Sequence, residues 1–185
     1  STVCLLSKTH YNEVESEADM GLLRQVFGPS KEEIWSQLSQ ELGADYEEGG
    51  FFKEGKVVLS HREWEITLDT YTVHTGKSTI IYTRMRAPYV NRDGFRFNIY
   101  RKNIFSGIGK LFGVKDIEVG DAFFDDEFII QGEPEALVSR LLSNVEVRQL
   151  IQAQPDIHFQ VKDDDGWFKS KFPEGVDELY FEVVG

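Results

Sequence analysis

The chain has 185 residues, a net charge of −12 and a hydrophobic fraction of 41%. Fourteen Phe, seven Tyr and three Trp supply much of the apolar content, enough for one domain with a substantial core. The acidity argues against wholesale nucleic-acid binding, the single cysteine (Cys4) excludes an intramolecular disulfide and a thiolate metal cluster, and no run of about 18 apolar residues is present to span a membrane.

Residues 1–28 place Glu13, Glu15, Glu17 and Asp19 ahead of Met20, Leu22, Leu23, Val26 and Phe27, a pattern compatible with a helix in a loosely attached N-terminal segment. Ser1–Leu6 lacks the pattern of a secretory leader. The clearest helix is predicted over 30–43. There Ser30 and Glu33 form a capping box, Ile34, Leu38 and Leu42 recur every four residues beside Trp35, and Gly43 can close the helix in a left-handed conformation.

From about residue 50 to 102 the period changes to two. After the short apolar run 56–60, Trp64, Ile66 and Leu68 alternate with Glu63, Glu65, Thr67 and Asp69, as a strand with one buried face does. A second strand is expected over 78–87, interrupted by Pro88. After the turn residues Asn91-Arg92-Asp93-Gly94, Phe95, Phe97 and Ile99 alternate with Arg96, Asn98 and Tyr100. The expectation is an antiparallel meander of four or five strands.

Residues 103–113 read as a short helix or an apolar loop. Phe128–Ile130 reads as a strand and 134–152 as a helix pair, with Leu137, Val138, Leu141, Leu142 and Val145 sharing a face, a second helical piece running to about Gln152 and Pro155 as its stop. Residues 157–162 and 167–171 flank Asp163-Asp164-Asp165-Gly166 as a hairpin would, and 179–184 closes the chain as a strand. No low-complexity linker divides the sequence. One domain over 1–185 is expected, of α+β class, with a mostly antiparallel twisted sheet and its helices packed on one face.

Charge is distributed unevenly along this pattern. Nine of the twenty Lys and Arg residues fall between Lys77 and Lys115, a stretch with one acid, Asp93. Residues 1–76 carry six basic and fourteen acidic side chains, and residues 116–185 five basic and seventeen acidic. Strand parity puts Arg84 and Arg86 with Tyr82, and Arg96 and Lys102 with Tyr100. If the two strands pair, these six residues form a basic, aromatic-lined face suited to phosphate, carboxylate or a stacked ring. The opposing reading is a face covered by the chain's own acids, with Asp121, Asp125, Asp126 and Glu127 the nearest in sequence.

Other motifs fail on spacing. Asp163–Gly166 does not fit a calcium loop, because Val161 and Phe172 stand where oxygen ligands belong. Gly107-Ile108-Gly109-Lys110 lacks the earlier Gly and the following Ser or Thr of a phosphate-binding loop. His61, Glu63 and Glu65 share a parity and could in principle serve acid–base or metal chemistry, but oppose the apolar Trp64 face. No catalytic constellation and no cofactor motif is assembled in sequence.

The run Asp116-Ile117-Glu118, Phe124-Asp125-Asp126-Glu127-Phe128, Gly132-Glu133-Pro134-Glu135-Ala136-Leu137, Leu141-Leu142 and Val147-Arg148-Gln149-Leu150 resembles the soluble domain of a large group of uncharacterised bacterial proteins. The likeness extends over about 46–170 and is best over 116–162. It implies a bacterial protein and an α+β fold, and carries over no site; members of that group often bear transmembrane helices upstream of the domain.

Two functions are left open. One is a non-enzymatic interaction domain whose basic face (77–115) meets an acidic protein or an anionic lipid head group, in the cytoplasm or peripheral to or tethered at a membrane. The other is an enzyme or small-ligand carrier with a pocket between sheet and helices.

Overall fold

The computed structural model describes residues 30–50, 54–102, 116–163 and 172–184. The expected N-terminal segment (1–28), the helix or loop at 103–113 and the hairpin arm at 167–171 lie outside these residues.

Helix α1 (Lys31–Leu42) begins as its sequence demands. The Ser30 hydroxyl accepts from the Glu33 amide, the Glu33 carboxylate accepts from the Ser30 amide, and Gly43 ends the helix at φ 63°. Its buried side differs from the expected stripe. Trp35 and Ser39 are buried, whereas Ile34 and Leu42 are about half exposed. The helix covers only the narrow edge formed by β1 (Asp45–Glu47) and β2 (Lys56–His61), too small a surface to bury a wide apolar stripe.

Strands β3 (Trp64–His74) and β4 (Thr79–Val90) complete a four-strand meander, with every neighbour antiparallel. Strand β5 (Arg96–Arg101), expected as the last strand of the meander, leaves it. The sheet order is β1-β2-β3-β4-β8-β7-β5-β6, where β6 is Phe128–Glu133, β7 is His158–Lys162 and β8 is Val176–Val184. The last strand of the chain therefore inserts beside β4. Pro88 does not interrupt β4, which runs through it to Val90. The pairing of β4 with β3 ends at Arg86, so the missing N–H of Pro88 falls where β4 is in register with β8.

Three further helices follow: α2 (Ala122–Glu127), α3 (Glu135–Leu142) and α4 (Val145–Gln152). The short α2, capped by Asp121, was not expected from sequence. The helix pair expected over 134–152 is α3 and α4, and the break falls where Asn144 caps a new N-terminus by accepting from the Glu146 and Val147 amides. Among the described residues, no helix is long and apolar enough to cross a membrane.

Pairing register sorts the two sheet faces. One row crosses all eight strands as Tyr46, Val57, Leu68, Met85, Phe181, Phe159, Ile99 and Ile130. This is the helix-bearing face. A Cβ built on Gly132 would meet the Val138 side chain of α3 at 2.8 Å, and Lys31 of α1 donates to Thr70 on the same parity at 2.6 Å. The main core lies at the β5–β6–β7 end, where Phe97, Ile99, Phe128 and Ile130 pack with Phe124, Val138 and Leu142. Arg101 ties α4 to β5 by donating to the carbonyls of Gln152 and Gln154.

Candidate functional site

The opposite face carries a second row in register: Glu47, Lys56, Asp69, Arg84, Glu182, His158, Tyr100 and Ile129. Its first five residues alternate in charge. Lys56 pairs with Glu47 at 2.9 Å, and Arg84 makes a two-pronged contact to Asp69, with Nη2 to Oδ2 at 2.9 Å. Arg86 shares the same carboxylate, Nη2 to Oδ2 at 2.8 Å. Hydrogen bonding to Asp69 is the main reason the Arg84 pKa is raised, against the opposing effect of burial. Arg84 also stands over the Tyr71 ring, 5.0 Å from its centroid, and Tyr71 stacks on Tyr82 at 5.1 Å.

Apart from Lys102, which follows the end of β5, the sequence-predicted residues thus fall on one face of the sheet but not in one place. Strands β4 and β5 are separated by β8 and β7, three inter-strand steps or about 14 Å. Arg96 pairs with Asp163 at 3.1 Å, and Lys102 donates to the Asp125 carbonyl at 2.8 Å. Tyr100 is buried, which raises its phenol pKa. The acids at 121–127 do not cover Arg84 or Arg86. Asp121 pairs with Arg148, Asp125 accepts from the Val119 and Gly120 amides, and Glu127 pairs with Arg101. Asp69 covers them instead, because β3 lies beside β4.

Beyond Arg84 the row becomes a buried polar cluster that sequence reading missed, its members coming from β3, β5, β7 and β8. Glu182 accepts from the phenols of Tyr71 and Tyr180, each at 2.6 Å, and lies 3.3 Å from His158 Nδ1. Burial alone would raise the Glu182 pKa; the hydrogen bonds from His158, Tyr180 and Tyr71 overcome it and hold the carboxyl at about 2. The same burial, reinforced by the carboxylate, raises the Tyr71 and Tyr180 pKa values. His158 Nε2 lies 2.6 Å from Asn98 Oδ1, while Nδ1 faces both the Glu182 carboxylate and the Gln160 side-chain amide, the latter at 3.4 Å.

His61, Glu63 and Glu65 are not gathered. His61 pairs with Trp64 across a tight turn with Arg62 at φ 57°, and Glu65 lies on the other face of the sheet.

Among the described residues, the helix-bearing face is open in its middle. Helix α1 covers one end of the sheet and α3 and α4 the other, while Met85 at the centre is 37% exposed and Ile81 51%. There the strands themselves form a hollow of about 210 Å³, floored by Ile66, Met85, Ala87, Phe159, Leu179 and Phe181 and bordered by His61 and Trp64. Trp64 borders both this hollow and a wider recess of about 590 Å³ that runs between Tyr89, Phe95, Leu137, Leu141 and Val147. Trp64 and Tyr89 lie against each other at 5.6 Å. Burial, then the Asp177 carboxylate, pushes the Tyr89 phenol up to about 12.

No protein-family model, curated protein or solved structure matches the chain.

Proposed function

We propose that this is a non-enzymatic binding domain that takes a small, mainly apolar ligand in the hollow on the middle of the sheet and the adjoining recess beside its helices. The supporting observation is the hollow itself. Met85, Ile66, Leu179 and Phe181 form apolar floor on central strands, where a two-layer α+β domain normally lays a helix. Concave, apolar sites with a few polar groups at the margin are the usual form of small-molecule pockets. The hollow and recess together fall within the range of roughly 300–1,000 Å³ that such pockets occupy.

Titration with the neutral fluorophore N-phenyl-1-naphthylamine tests this. Saturable enhancement, weakened when Met85→Glu places a charge on the floor, is the expected result. A linear, non-saturating signal unchanged by that substitution rejects the reading.

The alternative, an acidic protein or anionic lipid head group meeting the basic face, draws on one observation: the buried Arg86 Nε has no hydrogen-bond partner among the described residues. It predicts binding to anionic vesicles or an acidic peptide that weakens with salt and with Arg96→Glu. Asp69 already engages both guanidiniums of β4, which favours the hollow.

A further inference from the structure

The recess beside the hollow carries two arginines from opposite sides. Arg92 projects from the turn after β4, and Arg140 from the last turn of α3; both line the recess and both are exposed. In a chain of net charge −12, most arginines of the described residues are held by acids: Arg84 and Arg86 by Asp69, Arg96 by Asp163, Arg101 by Glu127 and Arg148 by Asp121. Arg92 and Arg140 make no side-chain ion pair or hydrogen bond among the described residues. One acid, Asp93, shares the recess with them, leaving it net positive.

The turn that presents Arg92 is fixed. The Asn91 side chain accepts from the Phe95 amide at 3.0 Å, donates to the Phe95 carbonyl at 3.0 Å and donates to the buried Asp177 carboxylate. Arg92 is therefore carried by a braced turn beside an apolar channel. On the other side, Asn144 accepts its capping bonds through Oδ1, so the cationic donors at the recess are the two guanidiniums.

We infer that the ligand is a single-chain anionic amphiphile, its apolar tail in the hollow floored by Met85 and Phe181 and its carboxylate head in the recess between Arg92 and Arg140. This rests on the small-ligand reading above and adds the head group. Guanidinium suits a carboxylate because its donors match both oxygens, and charge-assisted bonds are the stronger kind. The apolar floor and the paired arginines are complementary to the two ends of such a molecule.

The test is competition against bound N-phenyl-1-naphthylamine with decanoate and with decanol, both kept at monomeric concentrations. Decanoate is expected to displace the probe at about tenfold lower concentration than decanol, the difference one charge-assisted contact makes. In the double variant Arg92→Gln/Arg140→Gln, the two competitors are expected to become equal while the fold is retained, since both side chains are exposed. Equal displacement by the two in the wild-type chain overturns the head-group assignment and leaves the apolar hollow standing. Displacement by neither also overturns it, while saturable probe binding separately supports the hollow. Decanoate preference that survives the double variant overturns the role of these two arginines. Binding to anionic vesicles without displacement by monomeric decanoate overturns the inference in favour of a lipid surface.

Discussion

Asp69 shows how much one side chain can hold. It is 7% exposed and faces two guanidiniums, so removing it leaves two partly buried cations without their counter-charge. Truncating one partner of a buried pair costs about 3–5 kcal/mol, and the part exposure of Arg84 and Arg86 lowers that. Asp69→Ala is expected to destabilise the chain by roughly 2–3 kcal/mol in urea unfolding, and Arg86→Met by less, because Arg84 keeps its carboxylate. Gly132 is constrained by space. A Cβ there would stand 2.5 Å from the Arg96 carbonyl oxygen and 2.9 Å from the Phe97 Cβ. The first contact is backbone and cannot step aside, so Gly132→Ala should cost about 1–3 kcal/mol, read as a lowered urea midpoint at unchanged slope.

Among the elements, α1 is the one whose stability depends most on its ends. It buries one large side chain, Trp35, and packs on the sheet's edge, so its capping box matters more than it would in a helix held by a wide apolar face. Ser30→Ala is expected to cost about 1 kcal/mol and to raise amide exchange over 31–34 before the rest of the chain; uniform exchange along the chain would contradict a local role. The split between α3 and α4 follows similar logic. Asn144 satisfies two amides at once, and a continuous helix would leave its side chain no such task. Sequence periodicity carried the apolar face of α3, where Val138 and Leu142 lie four residues apart, and the presence of a second helical piece; the point of the break depends on one capping side chain whose preference is weaker than the pattern around it.

For the whole molecule, the buried cluster around Glu182 makes stability depend on acid. The folded carboxyl titrates at about 2 against an ordinary value of 4.5, so its contribution is present above the ordinary value and is lost as pH falls from there through 2. The groups facing Glu182 are Tyr71, Tyr180, His158 and Arg84, opposite it in register. Glu182→Gln should flatten the loss of unfolding free energy across this window, and an unchanged acid limb would show that other carboxylates govern it. Charge segregation in sequence also gains its explanation here. The basic strand β4 lies between β3, from the acidic first part of the chain, and β8, from the acidic last part, so blocks separated along the chain alternate across the sheet.

The α+β class, the capped helix, most of the strands and the side on which the strand residues lie were legible in the amino-acid sequence, because they follow from local chemistry: capping, turn residues and a period of two; the buried side of α1 was not, because the narrow sheet edge beneath it decides which residues are covered. Parity alone put Arg84, Arg86, Arg96, Tyr82 and Tyr100 on one face. Strand order was not legible. The insertion of β8 and β7 between β4 and β5 is a long-range pairing that no local pattern encodes, and it separates the two arginine groups. It also brings Tyr71, Asn98, His158, Tyr180 and Glu182, from four strands scattered along the chain, into one cluster, and leaves the apolar floor around Met85 between helices that each cover only an end of the sheet. A residue's preference for a face is a property of its neighbours in sequence; its partners on that face depend on which strands the packing of the core places side by side.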